Sequence, residues 1–231
     1  MKGASRFFYF LIFGFYFFLA GEVLSAQDVF KYPLAGGSMN RYMAICDELA
    51  ANNYIKGSFE LIRTVRRGRT MESNGYFIIN AGTGVVWDTR SPVLSIMTVG
   101  RDFIIQSSPG KPRSVTNTGG NPVFLNMAET FDAVFTGKAA ELIEKFDNFF
   151  IENRTGNGTT WTIGLIPKEK TVRNFIDRIV LEGKSGNGDK SALISSITMY
   201  DRSGESTRYN LSNHNYPIEL SDEEKSFFSV E

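Results

Sequence analysis

From Gly57 to about residue 211, apolar residues recur mostly at every second position, and turn residues break the pattern at even intervals. No other feature restricts the fold as much, because period two with regular breaks specifies an antiparallel β-meander. Phe59, Leu61 and Val65 alternate with Glu60, Thr64 and Arg66. Strand-like segments follow at 71–80, 84–89, 93–99 and 102–107, separated by Arg67-Gly68, Gly82-Thr83-Gly84, Ser91-Pro92 and Gly100. The same period returns at 147–153, 159–166, 174–182, 191–200 and 205–211. Gly156-Asn157-Gly158, Gly186-Asn187-Gly188 and Ser203-Gly204 supply the hairpin signals there.

Two stretches depart from the pattern. At 38–53, Met39, Tyr42, Met43, Cys46, Leu49 and Ala50 repeat at three and four residues, the stripe of an amphipathic helix capped by Ser38. Residues 107–122 are loop material rich in Ser, Pro and Gly. A helical patch over 123–136 and a short helix over 138–146 follow.

Several strands are apolar on both sides. Phe77 and Ile79 alternate with Tyr76 and Ile78, and Ile179 and Leu181 with Ile176 and Val180. A solvated antiparallel sheet shows one polar face. With few helices to cover a flat sheet, the pattern favours one that curls around an apolar interior. That interior is either a ligand cavity or an ordinary core plugged by the helices, and periodicity does not choose between them.

The N-terminus differs in kind. Lys2 and Arg6 precede an apolar run from Phe7 to Ala20, and small residues end at Ser25-Ala26. This is the layout of an export signal, and the run is shorter than the ~20 residues that span a bilayer. Residues 1–26 are therefore expected to be a signal peptide cleaved after Ala26, and 27–231 a single exported domain. Cys46 is the only cysteine, so no internal disulfide forms and packing must hold the domain. With 25 basic and 25 acidic residues and no basic block, nothing points to nucleic acid as a partner.

The inventory gives no catalytic set. His214, the single histidine, sits in a polar Asn213-His214-Asn215 stretch and reads as a solvated turn residue. One His and one Cys cannot build a His/Cys metal site, and no Gly-x-Ser-x-Gly accompanies His214. No enzyme, cofactor or metal is expected.

The stretch from Gly57-Ser58-Phe59 through Gly75-Tyr76-Phe77, Val85-Val86-Trp87 and Ser91-Pro92 to Gly100-Arg101 resembles the periplasmic lipoprotein carrier family, LolA. The glycine opening strand two and the tryptophan twelve residues later (Gly75 and Trp87) reproduce its spacing. Trp161 to Pro167 and Ser203 to Thr207 resemble its C-terminal strands. The resemblance implies a mainly β (α+β) fold, a curved antiparallel sheet forming an incomplete β-barrel, with helices covering its mouth as a lid. Its hollow would hold the acyl chains of lipoproteins, or another lipid, in the periplasm. Cargo would come from an inner-membrane ABC transporter and pass to an outer-membrane acceptor, with the carrier acting as a monomer. By strand parity with Trp87 the wall should include Phe77, Ile79 and Val85. Phe59, Leu61, Leu94 and Ile96 should join from neighbouring strands, and Phe124, Met127 and Phe131 from the lid. One position departs from the family. Its members typically carry a lid-latching arginine six residues after the strand-two glycine, where this chain has Ala81, so the latch is either supplied elsewhere, with Arg63 and Arg90 as candidates, or absent. The alternative function on the same scaffold is an envelope sensor or interaction domain that binds a membrane-protein partner.

Overall fold

The computed structural model describes residues 28–65, 68–117, 132–134, 137–155, 158–186 and 192–230. The expected signal peptide and the lid residues Phe124, Met127 and Phe131 lie outside the described residues.

Eleven strands form one antiparallel sheet. The first meander comprises β1 (Tyr54–Val65), β2 (Arg69–Asn80), β3 (Gly84–Ser91), β4 (Ser95–Gly100), β5 (Phe103–Ser107) and β6 (Ser114–Asn117). The second comprises β7 (Phe146–Thr155), β8 (Gly158–Pro167), β9 (Arg178–Lys184), β10 (Leu193–Tyr200) and β11 (Ser206–Asn215). The order β6-β5-β4-β3-β2-β1-β11-β10-β9-β8-β7 joins the two meanders through β1 and β11 and leaves β6 and β7 as edges. The result is a curved sheet that does not close into a barrel.

Both edges are blunted in ways that discourage pairing with other chains. β6 has only four residues, all exposed. Along β7, the segment before the first helix lays its backbone down: Leu34 N donates to Asn148 O at 2.8 Å and Phe150 N to Tyr32 O at 3.0 Å.

Helix α1 (Gly36–Ala50) packs into the concave face, burying Tyr42, Ile45, Cys46 and Leu49. It begins two residues earlier than the stripe predicts, with Ser38 inside its first turn, where Ser38 Oγ donates to Ala35 O at 3.0 Å. Tyr42 fixes the helix to the sheet through a 2.6 Å hydrogen bond from its hydroxyl to Asn148 Oδ1 and an edge-on contact with Phe150. Cys46 is a packed small residue whose thiol burial pushes up to about 12, so it stays protonated and unreactive. Helix α2 (Ala139–Lys145) lies where the sequence places it and buries Ala139 and Leu142.

Three expectations need correction. Part of the expected 107–122 loop is strand β6. The expected strand at 174–182 starts only at Arg178, because the turn that follows helix α3 (Lys170–Arg173), a helix capped by the Glu169 carboxylate, takes its first residues. Strand β11 runs on to Asn215, so His214 is not a solvated turn residue. Its ring packs against Phe77 and Tyr216.

The two-sided strands have a local explanation. Phe77 and Ile79 face the main core, while Ile78 and Val86 form a second cluster on the convex face with Leu220 and Phe228. Helix α4 (Asp222–Ser226) brings these C-terminal residues there. It starts with a capping box in which Ser221 and Glu224 bond reciprocally, and Lys56 pairs with Glu224 at 2.6 Å. Thr98 Oγ1 donates to Phe227 O at 2.9 Å. Tyr76, also on the convex face, is left 57% exposed, under the Arg90 guanidinium. Convex apolar residues therefore report a covering tail, whereas the curved interior is carried by the other face.

Candidate hydrophobic binding site

Residues paired directly across antiparallel strands share a face. One register row crosses the second meander as Tyr209, Ile197, Leu181, Ile163 and Phe150, all large. Helix α1 lies over this half and fills it; Ile163, Leu181 and Ile197 are 0–1% exposed. Across the first meander the row containing Phe59 continues through Gly75, Thr89 and Ser95, all small. Space is left beside Trp87 for that reason.

The space is a hollow of about 260 Å³, somewhat under the ~300–1,000 Å³ usual for small-molecule sites. Phe59, Leu61, Trp87, Met97 and Tyr209 make its apolar floor. Three of them form an aromatic cluster: Trp87 lies 4.5 Å from Tyr209 and 5.1 Å, edge-on, from Phe59 between ring centroids. Burial pushes the Tyr209 hydroxyl up to about 12, a sign of how little water stabilises charge there. Thr89, Ser95, Gln106, Ser107 and Ser108 border the other side.

The expected wall residues divide. Phe59, Leu61 and Trp87 meet at the hollow. Phe77 and Ile79 instead line a crevice of about 10 Å³ with Leu49, Ile194 and Leu211, room for roughly one water-sized sphere. Val85 is packed in the core. Leu94 lies in the turn before β4 and is 49% exposed, away from the hollow. Ile96 borders the hollow, but its side chain packs against the convex cluster of Ile78 and Val86. The physical reason is register: Met97 pairs with Trp87, so Met97 carries the inward face of β4 and its neighbours at 96 and 98 point outward. Met97 and Tyr209 are the residues that sequence reasoning missed. Alternation in the 205–211 strand, with Thr207, Tyr209 and Leu211 on one face, was the available signal for the second.

Among the described residues neither candidate latch has a partner across the hollow. Arg90 pairs with Asp88, the neighbour of Trp87 on the opposite face of β3, and Arg63 is exposed on β1. A tie exists beside Ala81 with the charges reversed. Asp132 accepts hydrogen bonds from the Gly82 backbone N–H at 3.2 Å and from Lys138 Nζ at 3.0 Å, with Arg101 at 3.6 Å. Asp132 thereby ties its own short segment to the β2–β3 turn.

No family model matches the sequence, and no curated protein matches it. Among solved structures, a LolA superfamily protein from Nitrosomonas europaea is similar over 79% of this chain and 96% of its own, at 8% identity and a TM-score of 0.43. A DUF1329 family protein from Desulfovibrio piger is similar over 85% of this chain and 98% of its own, at 12% identity and a TM-score of 0.48. A putative outer membrane lipoprotein-sorting protein domain from Vibrio parahaemolyticus is similar over 81% and 98%, at 12% identity and a TM-score of 0.43. Identities this low concern the fold and say nothing of ligand. Among the described residues no helix is long and apolar enough to cross a membrane. The unclosed antiparallel sheet with helices on its concave side matches the incomplete barrel that the sequence resemblance implies.

Proposed function

We propose that this protein is a non-enzymatic periplasmic carrier that shelters acyl chains of lipoproteins, or of a related lipid, in the hollow of its curved sheet and moves them toward the outer membrane. The observation that supports this is the unfilled apolar space over Phe59, Leu61, Trp87, Met97 and Tyr209, next to a half of the same sheet that is packed solid. Burying about ten methylenes at roughly 0.8 kcal/mol each contributes ~8 kcal/mol, near micromolar affinity before ordering costs. A shuttle needs that range, since it must hold its cargo and still release it. The expected signal peptide would deliver the chain to the periplasm, and an inner-membrane transporter and an outer-membrane acceptor would load and unload it.

The test is to purify the protein gently and analyse an organic extract by mass spectrometry. Co-purified acyl species are the expected result. Leu61→Asp and Trp87→Asp should abolish uptake of an acyl probe while keeping a β-type circular dichroism spectrum. Protein that is always empty and takes up no probe would overturn the proposal. The same variants separate the competing role, an envelope sensor or interaction domain, because binding to a membrane-protein partner would survive a charge placed in the hollow.

A further inference from the structure

The hollow has a polar side as consistent in chemistry as its floor. Thr89, Ser95, Gln106, Ser107 and Ser108 all offer hydroxyl or amide groups, and among the described residues no Lys, Arg, Asp or Glu lines the space. Beneath them stands Tyr209, whose ionised form is disfavoured by desolvation. A carboxylate or phosphate entering this space would lose hydration and find no countercharge among the described lining residues, which is unfavourable. A hydroxyl, ester or amide would exchange water for the neutral donors and acceptors of the wall.

The neighbouring basic residues do not change this: Arg90, next to Thr89, lies on the opposite face of β3 and pairs with Asp88. Arg63 lies on the same face of β1 two residues beyond Leu61, about 7 Å along the strand, and is exposed. Lys111 lies in the exposed turn after Ser108, where its N–H bonds to Ser108 O at 3.1 Å. Both sit in water, where salt and solvent screen their attraction.

Building on the acyl-carrier reading, we infer that the ligand enters with an uncharged polar group against the wall formed by Thr89, Ser95 and Gln106, so that the site selects neutral acyl esters and amides over fatty-acid anions. The hydrocarbon lies on Phe59, Trp87 and Met97, and the first polar atoms after it meet the hydroxyls and the amide. A charged part of a larger ligand is accommodated only beyond the mouth.

Isothermal titration calorimetry with the purified chain tests this, using 1-monodecanoylglycerol, decanoic acid and decyltrimethylammonium, matched in tail length. At about pH 8 the glycerol ester should bind at least tenfold more tightly than either ion. The gap to decanoic acid should close at about pH 4, where an ordinary carboxyl is largely protonated. Gln106→Lys, at an exposed position that should tolerate the change, supplies the missing countercharge and should shift the ratio toward decanoate by about tenfold. Decanoate binding as tightly as the ester at about pH 8, or a Gln106→Lys variant with an unaltered ratio, would overturn the inference and leave the carrier reading standing. Failure of all three probes would remove both.

Discussion

The two meanders of this sheet answer the same geometric problem in opposite ways. In the β7–β11 half, a register row of Tyr209, Ile197, Leu181, Ile163 and Phe150 meets helix α1, and the protein's own side chains fill the concave side. In the β1–β5 half the row beside Phe59 shrinks to Gly75, Thr89 and Ser95, and 260 Å³ stays open. Side-chain volume along one row therefore decides where a curved sheet is core and where it is container. The sealed half is a rigid support, so the open half need not contribute its full burial to stability.

This contrast can be broken at several points. The largest effect should come from Ile45→Ala in α1, fully buried in the sealed half. It should cost about 2–5 kcal/mol in chemical denaturation. Equal destabilisation by Met97→Ala would show that the two halves are packed alike.

Enlarging substitutions sharpen the comparison. Ile163→Trp adds volume to a filled region and should cost about 1–3 kcal/mol. Met97→Trp adds it to the hollow, so stability should change little while uptake of an acyl probe falls at least tenfold. Comparable melting losses in both variants would remove the distinction.

Asp132→Asn tests the tie between Asp132 and the β2–β3 turn. It should cost about 1–2 kcal/mol, since the carboxylate is buried while Lys138 and Arg101 remain partly in water. Retained stability would mean that the Gly82 N–H and Lys138 are satisfied without it.

The smallest effect concerns pH. Burial lowers the proton affinity of His214, partly offset by its hydrogen bond to the Ile194 backbone. The folded-state value lies below the unfolded one, so the ring contributes stability above about pH 6.5 that is lost as pH falls through the folded-state value. His214→Phe should therefore reduce the drop in Tm between about pH 7.5 and about pH 5. An unchanged drop would show that the histidine contributes nothing to it.

Much of this architecture was legible in the sequence, and what was not has definite causes. Glycines and alternation located the strands because turn chemistry and pleat are local properties. That Phe59 and Leu61 share a face with Trp87 was legible from alternation, since Gly57 pairs with Phe77 and Phe77 with Trp87. Parity failed at Leu94 and Ile96, because the number of turn residues between β3 and β4 sets which of 96 and 97 faces inward. That number is not fixed by composition. The covering of Ile78 and Val86 was missed for a different reason, although Ser221 and Glu224 spell a capping box. Where such a short helix docks depends on contacts between residues far apart in the chain. The closeness of Tyr209 to Trp87 depends on such contacts too, through β11 pairing with β1.

The pairing of β1 with β11 also governs how the molecule comes into being. Its two meanders are made of neighbours in sequence, but their hydrogen-bonded ladders join along a seam whose halves are the first and last of the described strands. Nascent β1 must wait, with an unmatched flank, until the final strand has emerged. Loops that long are entropically slow to close, which places completion among the late events of folding and makes that flank the point most exposed to mispairing.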